Sequence, residues 1–206
     1  MPVPPQIPTA LALLDYFGIS VFAISGALLA AEKRQTLVTF IFFAVVTGVG
    51  GGTLRDLLIG APVFWVHSNA TLLICIGAAL VIWLTSGRRF AGRALLWFDA
   101  AGLAAFAAYG AAKALGYGVA PVPAFGMGVL TACAGGIVRD VLAGEPSILM
   151  RPELYVTAAA LAAGLFVGLT LAGAPLWIAA VVAALAGFML RGAAIMRGWS
   201  LPAYRD

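Results

Sequence analysis

The chain has 206 residues, 63% of them hydrophobic and only 10% charged, with a formal net charge of +4. A soluble domain runs near ~45–50% apolar and ~25% charged, so an ordinary soluble globule is excluded, and a disordered chain, which is polar and highly charged, is excluded with it. The apolar runs are long and continuous, unlike the alternating ~10-residue strands of a membrane β-barrel, and point to an all-α membrane protein.

Seven transmembrane helices are predicted, in chain order at 10–31, 36–60, 69–85, 94–115, 120–144, 154–173 and 175–191. The segment Met1 to Thr9 has four prolines and no Lys or Arg. It lacks the basic start of a cleaved signal peptide, so the first run is expected to stay as a helix. Seven crossings put the termini on opposite sides. Lys33, Arg34, Arg88, Arg89, Arg93, Arg151, Arg191, Arg197 and Arg205 fall on the C-terminal side, and Lys113 alone on the other. Positive charge collects in the cytoplasm, which predicts a periplasmic N-terminus and a cytoplasmic C-terminus. Basic residues placed this way orient the chain in lipid and do not form a nucleic-acid face. Cys75 and Cys133 each lie inside an apolar run and read as small packing residues.

Displacing the chain by 84 residues superposes it on itself without gaps. Asp15 falls on Asp99, Gly18 on Gly102, Phe22 on Phe106, Gly51-Gly52 on Gly135-Gly136, Arg55-Asp56 on Arg139-Asp140, and Pro62 on Pro146. Seventeen of the 48 positions from 15 to 62 are identical, including the rare Arg and Asp, which identifies a duplication. A unit of three helices enters the membrane upside down in its second copy. The predicted organisation is a first three-helix repeat at 10–92, an inverted second repeat at 94–173, and a seventh helix at 175–197 that packs or oligomerises. Inverted repeats are a transporter architecture with the solute path at their interface.

Gly48-Val49-Gly50-Gly51-Gly52-Thr53-Leu54-Arg55-Asp56 in the second span recurs as Ala132-Cys133-Ala134-Gly135-Gly136-Ile137-Val138-Arg139-Asp140 in the fifth. Each glycine costs about 1 kcal/mol of helix propensity relative to Ala. The runs therefore favour a kink or unwound stretch, stronger in the second span. Freed carbonyls there would coordinate a cation. Close helix packing through small residues is the other reading. Intramembrane charges usually face a bundle interior or a water path. Arg55 and Asp56 are neighbours pointing about 100° apart on a helix, so their partners are expected elsewhere. Asp15 and Asp99 are the candidate partners of Arg55 and Arg139, whether as a brace or beside the path. Asp56 and Asp140 are then left as acceptors for cations. Lys113 is expected to snorkel, with a gating role as the alternative. His67 is expected to be exposed, and Ser20, Ser25, Thr47 and Tyr109 are candidate oxygen donors to an ion or packing residues. Trp65, Trp83, Trp97, Trp177 and Trp199 sit near span ends as interfacial anchors. No nucleotide loop, catalytic triad, metal-ligand spacing or cofactor motif is present, so an enzyme is not expected.

On the motifs Asp15-Tyr16-Phe17-Gly18, Gly50-Gly51-Gly52-Thr53-Leu54-Arg55-Asp56 and Gly135-Gly136-Ile137-Val138-Arg139-Asp140 the chain resembles the prokaryotic TRIC (trimeric intracellular cation) channels, which also carry a glycine-transporter label. The resemblance implies a homotrimer of seven-helix protomers in contact with lipid. It implies a K⁺ or Na⁺ pore in each protomer, between kinked second and fifth helices. Gly50, Gly51, Gly52, Gly135 and Gly136 are the matching path residues, and the reading of the intramembrane charges adds Arg55, Asp56, Arg139 and Asp140 to the path. A carrier of a small solute such as glycine is the alternative on the same repeat. A structural membrane protein without transport is a third class.

Overall fold

A computed structural model describes residues 9–85 and 91–202. Met1–Pro8, Arg88, Arg89 and Arg205, on which the leader and part of the charge argument rest, lie outside the described residues. Seven helices follow one another: α1 Thr9–Glu32, α2 Leu37–Leu58, α3 Asn69–Leu84, α4 Ala91–Gly116, α5 Pro121–Leu142, α6 Val156–Leu171 and α7 Leu176–Arg197. Each matches a predicted span. The seventh runs six residues further than the predicted 191, because Arg191 is taken inside the bundle instead of ending the helix at the membrane surface. Among the described residues, five helices are long and apolar enough to cross a membrane. The other two, α3 and α6, are apolar but have 16 residues each, about 24 Å at 1.5 Å per residue. They are the third members of the two repeats.

The repeat is visible in the punctuation. Both α2 and α5 stop at a glycine in the left-handed region, Gly60 with φ 68° and Gly144 with φ 70°, where the missing Cβ removes the penalty. Each is followed by a short 3₁₀ turn, Phe64–His67 and Ile148–Met150. All four positions obey the displacement of 84.

The second copy is inverted. The start of α1 stands beside the end of α4, and Phe22 packs on Phe106, its own repeat mate, with ring centroids 5.1 Å apart. A pseudo-twofold axis therefore passes between these rings. Gly18 lies under the Phe106 ring and Gly102 under the Phe22 ring, and side chains there would meet them. Helices in lipid gain no hydrophobic energy from pairing, so close approach through small residues supplies the attraction. The alanine-rich faces of α1, α4, α6 and α7 are buried accordingly, Ala23, Ala107, Ala162 and Ala183 completely. Large apolar residues such as Val38, Phe42, Leu73, Trp177, Leu185 and Met189 point outward from the protomer, on surfaces that only lipid or a neighbouring subunit can cover.

Candidate functional site

α2 and α5 cross at their glycine runs. A methyl group on Gly51 would strike the carbonyl oxygen of Thr131, and one on Gly135 would stand 2.5 Å from the carbonyl oxygen of Thr47. These are repeat-equivalent contacts in an antiparallel pair. Both helices remain hydrogen-bonded through them, as α2 is continuous over Leu37–Leu58 and α5 over Pro121–Leu142. The expected unwound stretches are therefore absent. The glycines bring two backbones together, and that packing offsets the propensity they lose. Gly50 is different, since its nearest neighbour across the crossing is Gly135 Cα at an ordinary 3.8 Å.

A charge cluster closes each end of the crossing. The two are labelled outer, on the side of the bundle where the chain begins, and inner, on the side where it ends: in the outer one, Arg55 Nε donates to Asp56 Oδ1 at 2.9 Å and its Nη2 lies 2.8 Å from the same oxygen. In the inner one, Arg139 Nε and Nη2 donate to Asp140 Oδ1 at 2.9 and 2.8 Å. The expectation that adjacent Arg and Asp cannot pair is thus corrected twice. Their Cβ atoms do diverge, but the Arg stem is long enough to bring the guanidinium back across the helix surface. The carboxylate is held in place by a backbone N–H from the loop beyond the helix. Asp56 Oδ2 accepts from Phe64 N and Asp140 Oδ2 from Ile148 N, both at 3.1 Å.

The candidate partners split. Asp99 does pair with Arg139, at 2.7 Å. Asp15 makes no such bridge; Asp56 takes the Arg55 guanidinium, while Asp15 remains in the field of Arg55 and Lys113. Lys113 does not snorkel. It is 7% exposed, and its Nζ donates to Asp56 Oδ2 at 2.9 Å. Nor is Arg55 bare, as its guanidinium stacks 5.1 Å from the Tyr109 ring. Ser25, the repeat mate of Tyr109, accepts from Arg139 Nη1 at 3.0 Å. Both residues thus act first as partners of arginine. His67 is exposed as expected. Trp65 is more than an anchor, since its Nε1 donates to Thr53 at 2.9 Å.

Sequence reasoning missed Arg191 and Tyr155. Arg191 is 1% exposed, paired with Glu153 at 2.5 Å and stacked on Tyr155. The one signal was an arginine at the end of an apolar run with a loop glutamate still unassigned. At the inner end, a cavity of about 220 Å³ opens beside Arg139 and Asp140, with Leu29, Glu32, Glu145 and Arg151 also in its wall. Lys33 donates a hydrogen bond to Glu145 there, joining the α1–α2 and α5–α6 loops, and that ammonium holds the Glu145 carboxyl below the usual range. Among the described residues no group of three His, Cys, Asp or Glu is arranged to hold a metal.

A family model described as glycine transporter matches residues 12–86 and 96–171, which are the two three-helix units in turn. A crystal structure of a trimeric intracellular cation channel orthologue from Rhodobacter sphaeroides is 44% identical, with a TM-score of 0.89 over 93% of this chain and 100% of that one. The chain belongs to the prokaryotic TRIC family. It is also 36% identical to the Escherichia coli UPF0126 inner membrane protein YadS, over 70% of this chain and 72% of that protein. A UPF0126 membrane protein of Vibrio cholerae is 40% identical over 72% of this chain, a match that spans 63% of the relative's own length. TRIC membership and the apolar helices make this a multi-pass membrane protein, and the structural relative is a channel and not an enzyme.

Proposed function

We propose that the protein is a monovalent-cation channel of the bacterial inner membrane, a homotrimer with one K⁺-permeable path in each protomer along the α2–α5 crossing. The observation that carries this is the pair of repeat-equivalent Arg–Asp clusters, Arg55–Asp56 and Arg139–Asp140, buried at opposite ends of one glycine-lined helix crossing. Buried charge in a membrane is expensive and is retained where a bundle interior serves an ion. The 44% identical relative is named a trimeric cation channel, which supports both the ion and the assembly.

In this conformation the Gly51–Thr131 contact leaves no space for an ion between the helices. Conduction therefore requires α2 and α5 to part, exposing the carbonyls of 47–51 and 131–135 to the ion. Gly50, Gly51, Gly52, Gly135 and Gly136 are the proposed lining, with Asp56 and Asp140 setting a favourable field at each end and Arg55 and Arg139 limiting it. The N-terminus is proposed to be periplasmic. Lys113 and Arg191 are both buried, and setting them aside leaves eight basic residues on the C-terminal side against none on the other.

Single-channel recording of purified protein in a planar bilayer tests the proposal. Discrete K⁺ current steps at a fixed potential are expected. Saturable glycine counterflow in liposomes without current steps would replace the channel by a carrier.

A further inference from the structure

The two charge clusters are built from equivalent positions with one difference in charge. Around Asp56 stand Arg55, the Phe64 N–H and the Lys113 ammonium, which lies 2.9 Å from each carboxylate oxygen. Around Asp140 stand Arg139 and the Ile148 N–H at the same distances, but the position equivalent to Lys113 is Leu29. With Asp15 counted, the outer cluster is formally neutral. With Asp99 counted, the inner one is left at −1. Asp99 Oδ2 is buried there without a hydrogen-bond partner. A surplus carboxylate charge buried in this way is costly unless a cation compensates it.

Space for that cation exists on the side where the ammonium is missing. Leu29, Asp140 and Arg139 share the wall of the cavity of about 220 Å³, several times the ~30 Å³ that one water takes up in the liquid. A carboxylate has about four lone-pair sites, of which Asp140 has capacity beyond its bonds to Arg139 and Ile148. Of the other charged groups on that wall, Glu145 is tied to Lys33, and Arg151 and Glu32 offset one another in charge, so the surplus charge stays with Asp140 and Asp99. The deficit is a single charge and no three-ligand metal set occurs among the described residues.

We propose that this inner cavity is a binding site for a partly hydrated monovalent cation, K⁺ or Na⁺, held by Asp140 in the place where the outer cluster fixes the Lys113 ammonium to Asp56. The site deepens the cation-path proposal by giving that path a resident ion at its inner end, but its test does not depend on conduction. The measurement is thermal unfolding of the purified protein in detergent, with KCl replaced stepwise by N-methyl-D-glucamine chloride at constant ionic strength. K⁺ at about ten times its Kd is expected to raise the Tm by roughly 3–6 °C. Leu29→Lys supplies the missing ammonium and should abolish the K⁺ shift, whereas Leu29→Met should keep it. Should Leu29→Lys not fold, Lys113→Leu decides in reverse, because it opens an equivalent vacancy at Asp56 and should enlarge the K⁺ shift. A wild-type Tm indifferent to K⁺, a Leu29→Lys protein that keeps the shift, a Lys113→Leu shift no larger than the wild type's, or a Tm that follows pH in place of K⁺ would each overturn the site. A K⁺-dependent Tm in protein that passes no current would overturn only the channel. Current without a K⁺-dependent Tm would overturn only the site.

Discussion

The carbonyl oxygen of Thr131 stands where a side chain on Gly51 would have to go, and the carbonyl of Thr47 stands in the same relation to Gly135. The two contacts are one contact seen twice through the pseudo-twofold axis. They also explain an irregularity in the repeat. The first motif has three glycines and the second reads Ala134-Gly135-Gly136, because the position shared by Gly50 and Ala134 meets nothing that excludes a methyl group.

The glycines of the two runs are therefore expected to respond unevenly. Gly51→Ala and Gly135→Ala push backbone against backbone, which cannot yield cheaply, and overpacking of this kind costs about 1–3 kcal/mol or more. Gly50→Ala fits an ordinary contact and gains helix propensity of about 1 kcal/mol. Thermal unfolding of the three purified variants checks this, with Gly50→Ala at or above the wild-type Tm and the other two several degrees below. Equal destabilisation by all three would show that the contact at Gly50 is as tight as those at Gly51 and Gly135.

The arginines are also expected to differ. Arg139→Ala removes the cation bridged to both Asp99 and Asp140, and breaking a buried pair costs about 3–5 kcal/mol in soluble proteins. Arg55→Ala leaves Lys113 on Asp56. Size-exclusion chromatography should show Arg139→Ala assembling poorly and Arg55→Ala close to normal. K⁺ flux from liposomes should change in whatever assembles. Asp56→Asn and Asp140→Asn should lower the flux by weakening the field and releasing the Phe64 and Ile148 loops. If all four variants assemble and conduct like the wild type, the motif lies off the path.

Much of this was legible in the sequence because duplication leaves its mark on rare residues. The seven helices follow from the apolar runs, and their inversion and the Asp99–Arg139 pair from one displacement of 84 applied to Asp, Arg and Gly. What escaped is where a local rule met a tertiary contact. Helix propensity suggested a break at the glycines, but propensity says nothing of a partner backbone arriving from α5. The angular rule for neighbours separated Arg55 from Asp56, but it describes Cβ directions and not the reach of a guanidinium. Lys113 sits near a helix end, where snorkelling is the usual outcome, and only the packing of α4 against α2 reveals Asp56 beside it. Leu29 carries no signal in isolation, and its significance appears only when its repeat mate is seen to be a paired lysine.

Glu145 carries a pH dependence outside the membrane. Its carboxyl is depressed by Lys33. The contribution to stability is therefore present above the ordinary glutamate value of ~4.3 and is lost as pH falls through the lower folded value. The pair is exposed and screened by salt, so its worth is small. Glu145→Gln should leave the Tm unchanged within about 1–2 °C at neutral pH. It should also remove any salt sensitivity of the acid limb, measured by unfolding below pH 5 in low and high NaCl. A large loss at neutral pH would mean that the Lys33 bridge holds the two inner loops together.

The pair joining α7 to the repeats is expected to be lopsided. The Arg191 side chain is 1% exposed and that of Glu153 is 32% exposed. Glu153→Ala removes the carboxylate that bonds Arg191 and leaves its guanidinium buried against the Tyr155 ring. Arg191→Met removes the buried charge and fills much of its volume, while Glu153 turns to solvent. Losing one partner of a buried pair is the costly case, at about 3–5 kcal/mol, whereas replacing the charge by an apolar chain is often neutral. Thermal unfolding should therefore place Glu153→Ala well below Arg191→Met, although the usual expectation for a buried position puts the harm on the buried residue. Because α7 stands outside the repeat, K⁺ flux per trimer should match the wild type in both. A flux that changes in Arg191→Met with an unchanged Tm would put α7 in the ion path and end its assignment as a packing helix.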